Sequence, residues 1–142
     1  MRDIRSLFAD YASHHQTKGN KVFHRVGIPL IVLTLLGMLA HVPVYGPVTA
    51  GILLIAVSEV VYLMLEWRLA LVMFVLSAGM YYVAGWWIPL WLNVALFVLG
   101  WIFQFIGHSV YEKKSPAFLT NFLHLLVGPL WILNDVVPVV KT

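Results

Sequence analysis

Long apolar runs separated by short polar or Gly/Pro-rich breaks make up almost the whole chain, and that pattern predicts helices. Residues 1–18 follow a helical period: Ile4, Leu7, Phe8 and Tyr11 fall at helical spacings, opposite Arg2, Arg5 and Asp10. Gly19-Asn20 is expected to break this amphipathic helix, with Asn20 as N-cap of the next one. Four apolar stretches follow, at about 21–42, 48–65, 69–85 and 90–111, each near the ~20 residues that cross a hydrocarbon core. Pro29 is expected to kink the first of them. His41–Pro47, Glu66–Arg68 and Gly85–Pro89 are the expected turns. Ser115 and Pro116 then restart a helix as N-cap and first helical residue. A fifth hydrophobic segment, 117–134, either spans or re-enters. The expected fold is an all-α integral membrane protein, one membrane-embedded domain over residues 1–142. It has four transmembrane helices, the N-terminal amphipathic helix and the fifth segment.

Composition agrees with a lipid solvent. The chain of 142 residues is 61% hydrophobic and 11% charged, where a soluble domain carries about 25% charged residues. There is no cysteine, which excludes disulfides, thiolate metal sites and thiol nucleophiles. The first residues alternate charge and apolarity without an apolar core, so they do not read as a cleaved signal peptide. Charge placement sets the orientation. Arg2, Arg5, Lys18, Lys21, Arg25, Arg68, Lys113 and Lys114 account for eight of the nine basic residues and fall on one side of the spans. The positive-inside rule makes that side cytoplasmic. Tyr45, Tyr81, Tyr82, Trp86, Trp87 and Trp91 form an aromatic belt at the other side. The expected location is therefore a multi-pass membrane protein with a cytoplasmic N-terminus, in the inner membrane of a bacterium or the endoplasmic reticulum of a eukaryote. Membrane lipids are its expected surroundings, no nucleic-acid partner is expected, and the oligomeric state stays open.

The topology brings chemistry together. His14, His15, His24, His108 and His124 all fall at or near the cytoplasmic face; His41 sits at the opposite end of the first span, as an interfacial polar cap. Polar groups at membrane depth are expensive and usually functional. Without cysteine, clustered neutral imidazoles suit zinc, copper, iron or nickel, the alternative being a purely hydrogen-bonded polar cluster. Gln104, His108 and Glu112 are four apart and line one helical face, which Phe97 and Trp101 continue inward as an apolar wall. Tyr11 and His15 are one turn apart, and Asn121 and His124 share a face. Glu112 reads either as a ligand or outer-shell acceptor or as an exposed partner of Lys113 or Arg25. Glu59, inside the second span, is either a protonated structural carboxyl or part of a site.

Two motifs carry a resemblance. His15, Asn20 and His24 in the spacing H-x4-N-x3-H, followed by Gly27-Ile28-Pro29-Leu30, form the first. Gln104-Phe105-Ile106-Gly107-His108 continuing through Tyr111-Glu112-Lys113 to Pro116-Ala117 forms the second. Both resemble a family of small membrane proteins whose best understood member is a fungal endoplasmic-reticulum enzyme of phytosphingosine breakdown. That enzyme is an iron(II)-dependent dioxygenase that shortens 2-hydroxy fatty acids by one carbon. Asn121 and Gly128-Pro129-Leu130 are similar too. The chain departs from the pattern in its extra His14 and in Gln16-Thr17, where relatives commonly have Asn-Pro; His124 stands where the fungal enzyme has glutamine.

The resemblance implies an Fe(II)-dependent oxidoreductase acting by α-oxidation on long-chain 2-hydroxy fatty acids with O2. It implies His15, His24 and His108 as metal ligands, with His124 as a fourth candidate. Gln104 and Glu112 are the candidate catalytic residues, and Phe97, Trp101, Asn20, Lys113 and Asn121 the candidate substrate contacts. A 2-hydroxy acid can chelate the metal through its carboxylate and hydroxyl while its tail lies between helices. Two other readings use the same residues: a zinc-dependent membrane hydrolase with Glu112 as general base, and a non-catalytic scaffold or lipid-binding protein with a histidine plug.

Overall fold

The computed structural model describes residues 3–13, 15–112 and 123–140, excluding the side chains of Glu112, Leu123 and His124. His14, Lys113, Lys114, Ser115, Pro116 and Asn121 lie outside the described residues. The chain is mostly helical: α1 (Ile4–Ser13), α2 (Lys18–Leu39), α3 (Ala50–Leu65), α4 (Trp67–Trp86), α5 (Leu90–Ile106), a π-helical turn (Gly107–Glu112) and α6 (Leu123–Val136). A hairpin of β1 (Pro43–Tyr45) and β2 (Val48–Thr49) fills the expected turn after α2. It closes at Gly46, whose φ of 54° lies in the left-handed region that glycine enters without a Cβ penalty. Among the described residues, three helices are long and apolar enough to cross a membrane: Lys18–Leu39, Trp67–Trp86 and Leu90–Tyr111. α3 has 16 residues and reaches about 24 Å at 1.5 Å per residue, short of a ~30 Å hydrocarbon core on its own.

Two compact units divide the chain, Met1–Pro29 with Gly100–Thr142 and Leu30–Leu99. In the first, α1 packs on α6. The expected stripe of Ile4, Leu7, Phe8 and Tyr11 is the buried face of α1, and Val127, Leu130 and Leu133 are buried on α6. Leu7 and Phe8 are fully buried, each worth about 1.5–3 kcal/mol relative to exposure to water. The break between α1 and α2 differs from expectation. α2 starts at Lys18, and Thr17 is its cap: the Thr17 hydroxyl accepts from Asn20 N–H at 3.2 Å while its carbonyl accepts from Lys21 N–H. A hydroxyl three residues before Asn20 meets an orphan amide there, so Asn20 sits inside the first turn rather than before it. The tail beyond α6 is held by Asn134, whose carboxamide donates to Val140 O and accepts from Val139 and Val140 N–H, at 2.9–3.0 Å.

In the second unit α3 and α4 form an antiparallel hairpin. Glu66 serves both helices in an extended conformation: its N–H donates to Tyr62 O, and its carboxylate accepts from Arg68 N–H. Thr49 caps α3 and its hydroxyl meets the Tyr81 hydroxyl at 2.7 Å. Asn93, fully buried, donates to Ala84 O and Ile88 O and so ties the turn between α4 and α5. The outward faces are apolar, with Val57 63% and Val75 69% exposed, the inversion expected of helices solvated by lipid. Glu59 is half-buried on α3, less enclosed than the expected interior position.

Candidate metal centre

Local backbone chemistry decides where each histidine ring points. His15 follows α1 directly, and its Nδ1 donates to Tyr11 O at 2.7 Å. His24 lies one turn past Asn20 on α2, and its Nδ1 donates to Asn20 O at 3.3 Å. A carbonyl can only accept, so each ring is protonated on Nδ1 and carries its lone pair on Nε2. The third ring, His108, enters from the π-helical turn after α5, a helix distortion found often at functional sites. All three side chains are buried, at 1–2% exposure.

The rings converge. His15 and His24 centroids are 4.0 Å apart, His24 and His108 4.7 Å, and His15 and His108 4.8 Å, all edge to face. Their possible ligand atoms lie within 4.8 Å of one another, and His24 Nε2 is 3.2 Å from His108 Nε2. Metal–imidazole bonds of about 2.0–2.1 Å put neighbouring ligand nitrogens about 2.8–3.4 Å apart at angles between octahedral and tetrahedral. The separation falls inside that range. A buried, cysteine-free set of imidazoles, two of them with fixed tautomers, therefore fits a borderline divalent metal such as iron or zinc.

Close backbone approaches hold the rings in place. A Cβ on Gly27 would run into Gln104 Nε2, and one on Gly107 into Asn20 Oδ1. Gln104, 2% exposed, donates to Phe23 O at 3.5 Å and thereby ties α5 to α2 one turn before His108. Asn20 is fully buried at Gly107, and its carbonyl orients His24. Tyr11 stacks on His15 at 4.2 Å and 14°, and Trp131 of α6 lies 5.0 Å from Tyr11 and 5.5 Å from His15. Burial raises the Tyr11 phenol above its ordinary pKa, so it stays protonated.

The structure brings five expected site residues together: His15, His24, His108, Gln104 and Asn20. Trp101 and Phe97 are half-buried on α5, Trp101 beside Phe105 at 5.9 Å. Arg25 pairs with Asp135 at 3.4 Å on the surface. His124 is on α6 with its side chain outside the described residues, as is that of Glu112; Lys113 and Asn121 lie wholly outside them. The backbone turns π-helical from Gly107 to Glu112, so His108 projects from that turn rather than from regular α-helix. Trp131 is the site residue missed from sequence. Its signal was faint: an aromatic three residues after Gly128, on the same face of an apolar segment.

Fold and site define a class, a helical chain with spans apolar enough for a membrane and a buried histidine trio able to bind a metal ion. The chain belongs to the Mpo1-like family, whose model, described as 2-hydroxy-palmitic acid dioxygenase Mpo1-like, matches residues 1–138. It is 29% identical over 149 aligned residues to the 2-hydroxy-palmitic acid dioxygenase MPO1 of Saccharomyces cerevisiae, covering 94% of this chain and 79% of that relative. No solved structure matches it.

Proposed function

We propose that the protein is a membrane-embedded, Fe(II)-dependent dioxygenase that removes one carbon from long-chain 2-hydroxy fatty acids. The carrying observation is the buried trio His15, His24 and His108, with two Nε2 atoms at ligand spacing and two Nδ1 atoms committed to carbonyls. Membership in a family named for a dioxygenase selects oxygen chemistry over hydrolysis. The reaction balances without a further reductant: a 2-hydroxy acid and one O2 give the acid one carbon shorter, CO2 and water. Iron, when bound by the three histidines, supplies the O2 chemistry that side chains lack. The chain's residues hold and orient. Tyr11 and Asn20 carbonyls fix two ring tautomers, Gln104 braces α5 against α2, and the surrounding apolar rings exclude water. Trp101 and Phe97 face the tail, while Lys113 and Asn121 meet the carboxylate head.

The same site supports four spans and one active face. His24 near the start of α2 meets His108 just after α5, so those two helix ends share a side of the membrane. An even number of crossings must lie between them. α4 is long enough to cross, and α3 packs along it, so α3 is its return partner despite its length. The positive-inside rule puts the shared end in the cytoplasm.

The test is turnover by protein purified without a histidine tag. Long-chain 2-hydroxy acids should be shortened under air, not under nitrogen and not after chelation, with iron restoring the rate. Unsubstituted acids of equal length should react far more slowly, since they lack the second oxygen donor. Shortening that continues without oxygen, or zinc restoring full activity, overturns the iron reading.

A further inference from the structure

We infer that Tyr11 is the positioning residue for the metal centre, and that a notch at Gly128 on α6 is what seats it; this rests on the metal-centre reading above. His15 is the ligand with the least scaffold of its own. It lies past the end of α1 and before the start of α2, outside any helix, whereas His24 and His108 are built into helical backbone. Tyr11 supplies what is missing in three ways. Its carbonyl takes the His15 Nδ1 proton at 2.7 Å, its ring covers the His15 ring at 4.2 Å, and its ring also meets His24 edge-on at 6.3 Å.

Gly128 decides where Tyr11 sits. A Cβ there would stand 2.8 Å from the Tyr11 hydroxyl and 3.4 Å from its Cζ. The next neighbour is Ile28 Cδ1 at 3.6 Å, an ordinary contact. The hydroxyl is the far end of a side chain, which could swing aside in open surroundings. Here it cannot, because the ring is held between His15 at 4.2 Å and Trp131 at 5.0 Å. Any added methyl at 128 therefore displaces Tyr11, and with it the stack and carbonyl that aim His15. Alanine also raises helix propensity relative to glycine by about 1 kcal/mol, so α6 itself is not weakened by the change. The segment's glycine thus belongs to the metal centre although it touches none of its rings.

The experiment is a double-mutant cycle on tag-free protein with two readouts: cobalt(II) affinity by chelator competition, and modification of His15 by a histidine acylating reagent without metal, mapped by mass spectrometry. Gly128→Ala should keep wild-type helix content yet bind cobalt roughly 10- to 100-fold more weakly, as loss of an outer-shell partner does, with a changed visible spectrum. Its His15, buried in the wild type, should become reactive. Tyr11→Phe alone, which keeps the stack and the carbonyl, is the reference level for the double variant. Tyr11→Phe in the Gly128→Ala background should restore both affinity and protection, since only the hydroxyl meets the new methyl closer than 3 Å. Wild-type behaviour of Gly128→Ala in both readouts, or a double variant no better than Gly128→Ala, overturns the inference. A wild type that binds no cobalt while the protection cycle behaves as described would instead refute the metal reading and leave the seating of His15 intact.

Discussion

In the unit formed by Leu30–Leu99, polar side chains turn back on their own helix or the next turn, apart from the Thr49 hydroxyl that meets Tyr81 on α4. Thr34 donates to Leu30 O, Ser58 to Leu54 O, the His41 ring to Gly37 O, and Asn93 to Ala84 O and Ile88 O. In the other unit His15 and His24 also use the carbonyl four residues back, but further polar contacts reach between segments: Gln104 to Phe23, His24 to His108, and Asn134 to the tail at Val140. A lone polar group in a helix immersed in lipid is satisfied most cheaply by the carbonyl four residues back. A polar network between elements demands aligned partners beyond that local solution, so it is kept where function needs it. The contrast separates an apolar helical hairpin from a histidine centre within one short chain.

The largest effect expected on this contrast comes from the ligands. His24→Ala or His108→Ala should each lower metal affinity by more than the roughly 10- to 100-fold that an outer-shell partner costs, with helical content kept by circular dichroism. Elemental analysis of tag-free protein is the measurement. Asn93→Ala is the control in the other unit. It strips the donor from two carbonyls and should cost about 1–3 kcal/mol of stability, with metal content unchanged. Metal loss in Asn93→Ala, or metal retained in His108→Ala, would erase the division of labour.

Glycines give an intermediate test. Gly107→Ala puts a methyl onto Asn20 Oδ1 and the Phe23 side chain, inside a packed site, and should cost about 1–3 kcal/mol as overpacking does, with weakened metal binding. Gly79→Ala on α4 meets nothing within 4 Å and should leave melting temperature and metal unchanged or raise stability by up to about 1 kcal/mol. Equal losses at both positions would mean that helix packing, not the site, sets the glycine requirement.

These residues also indicate what could be read from sequence. The apolar runs placed α2, α4 and α5 to within a few residues, because a 20-residue lipid-filling helix needs only uniform hydropathy. The stripe Ile4, Leu7, Phe8 and Tyr11 gave the buried face of α1 but not its partner, since periodicity names a face and not what covers it. His15, His24 and His108 were legible as one cluster because topology and two motifs agreed. Thr17 as the cap, the π-helical turn and the Trp131 contact were not. Each depends on which of several nearby groups wins a backbone amide or fills a gap, a competition settled by three-dimensional packing.

The smallest effect belongs to Glu66, the hinge of the α3–α4 hairpin, and it asks whether that unit uses charge at all. The hydrogen bond from Arg68 Nε at 2.9 Å, with further help from the Arg68 backbone N–H, holds the Glu66 carboxyl below its ordinary value of 4.5. A carboxyl depressed in the folded state contributes stability that is present above the unfolded value and is lost as pH falls through the lower folded one. Arg68 is half-exposed, so solvent screens the pair and the contribution is small. Glu66→Gln keeps an amide oxygen to accept from Arg68 N–H and removes only the charge. It should lower the melting temperature slightly at neutral pH, and the gap to wild type should close as pH is taken well below 4.5, where both side chains are neutral. Metal content at neutral pH should not move. A gap that persists unchanged in acid would assign the hinge to the amide contact alone, making the hairpin a unit held by backbone and packing, in full contrast to the histidine centre.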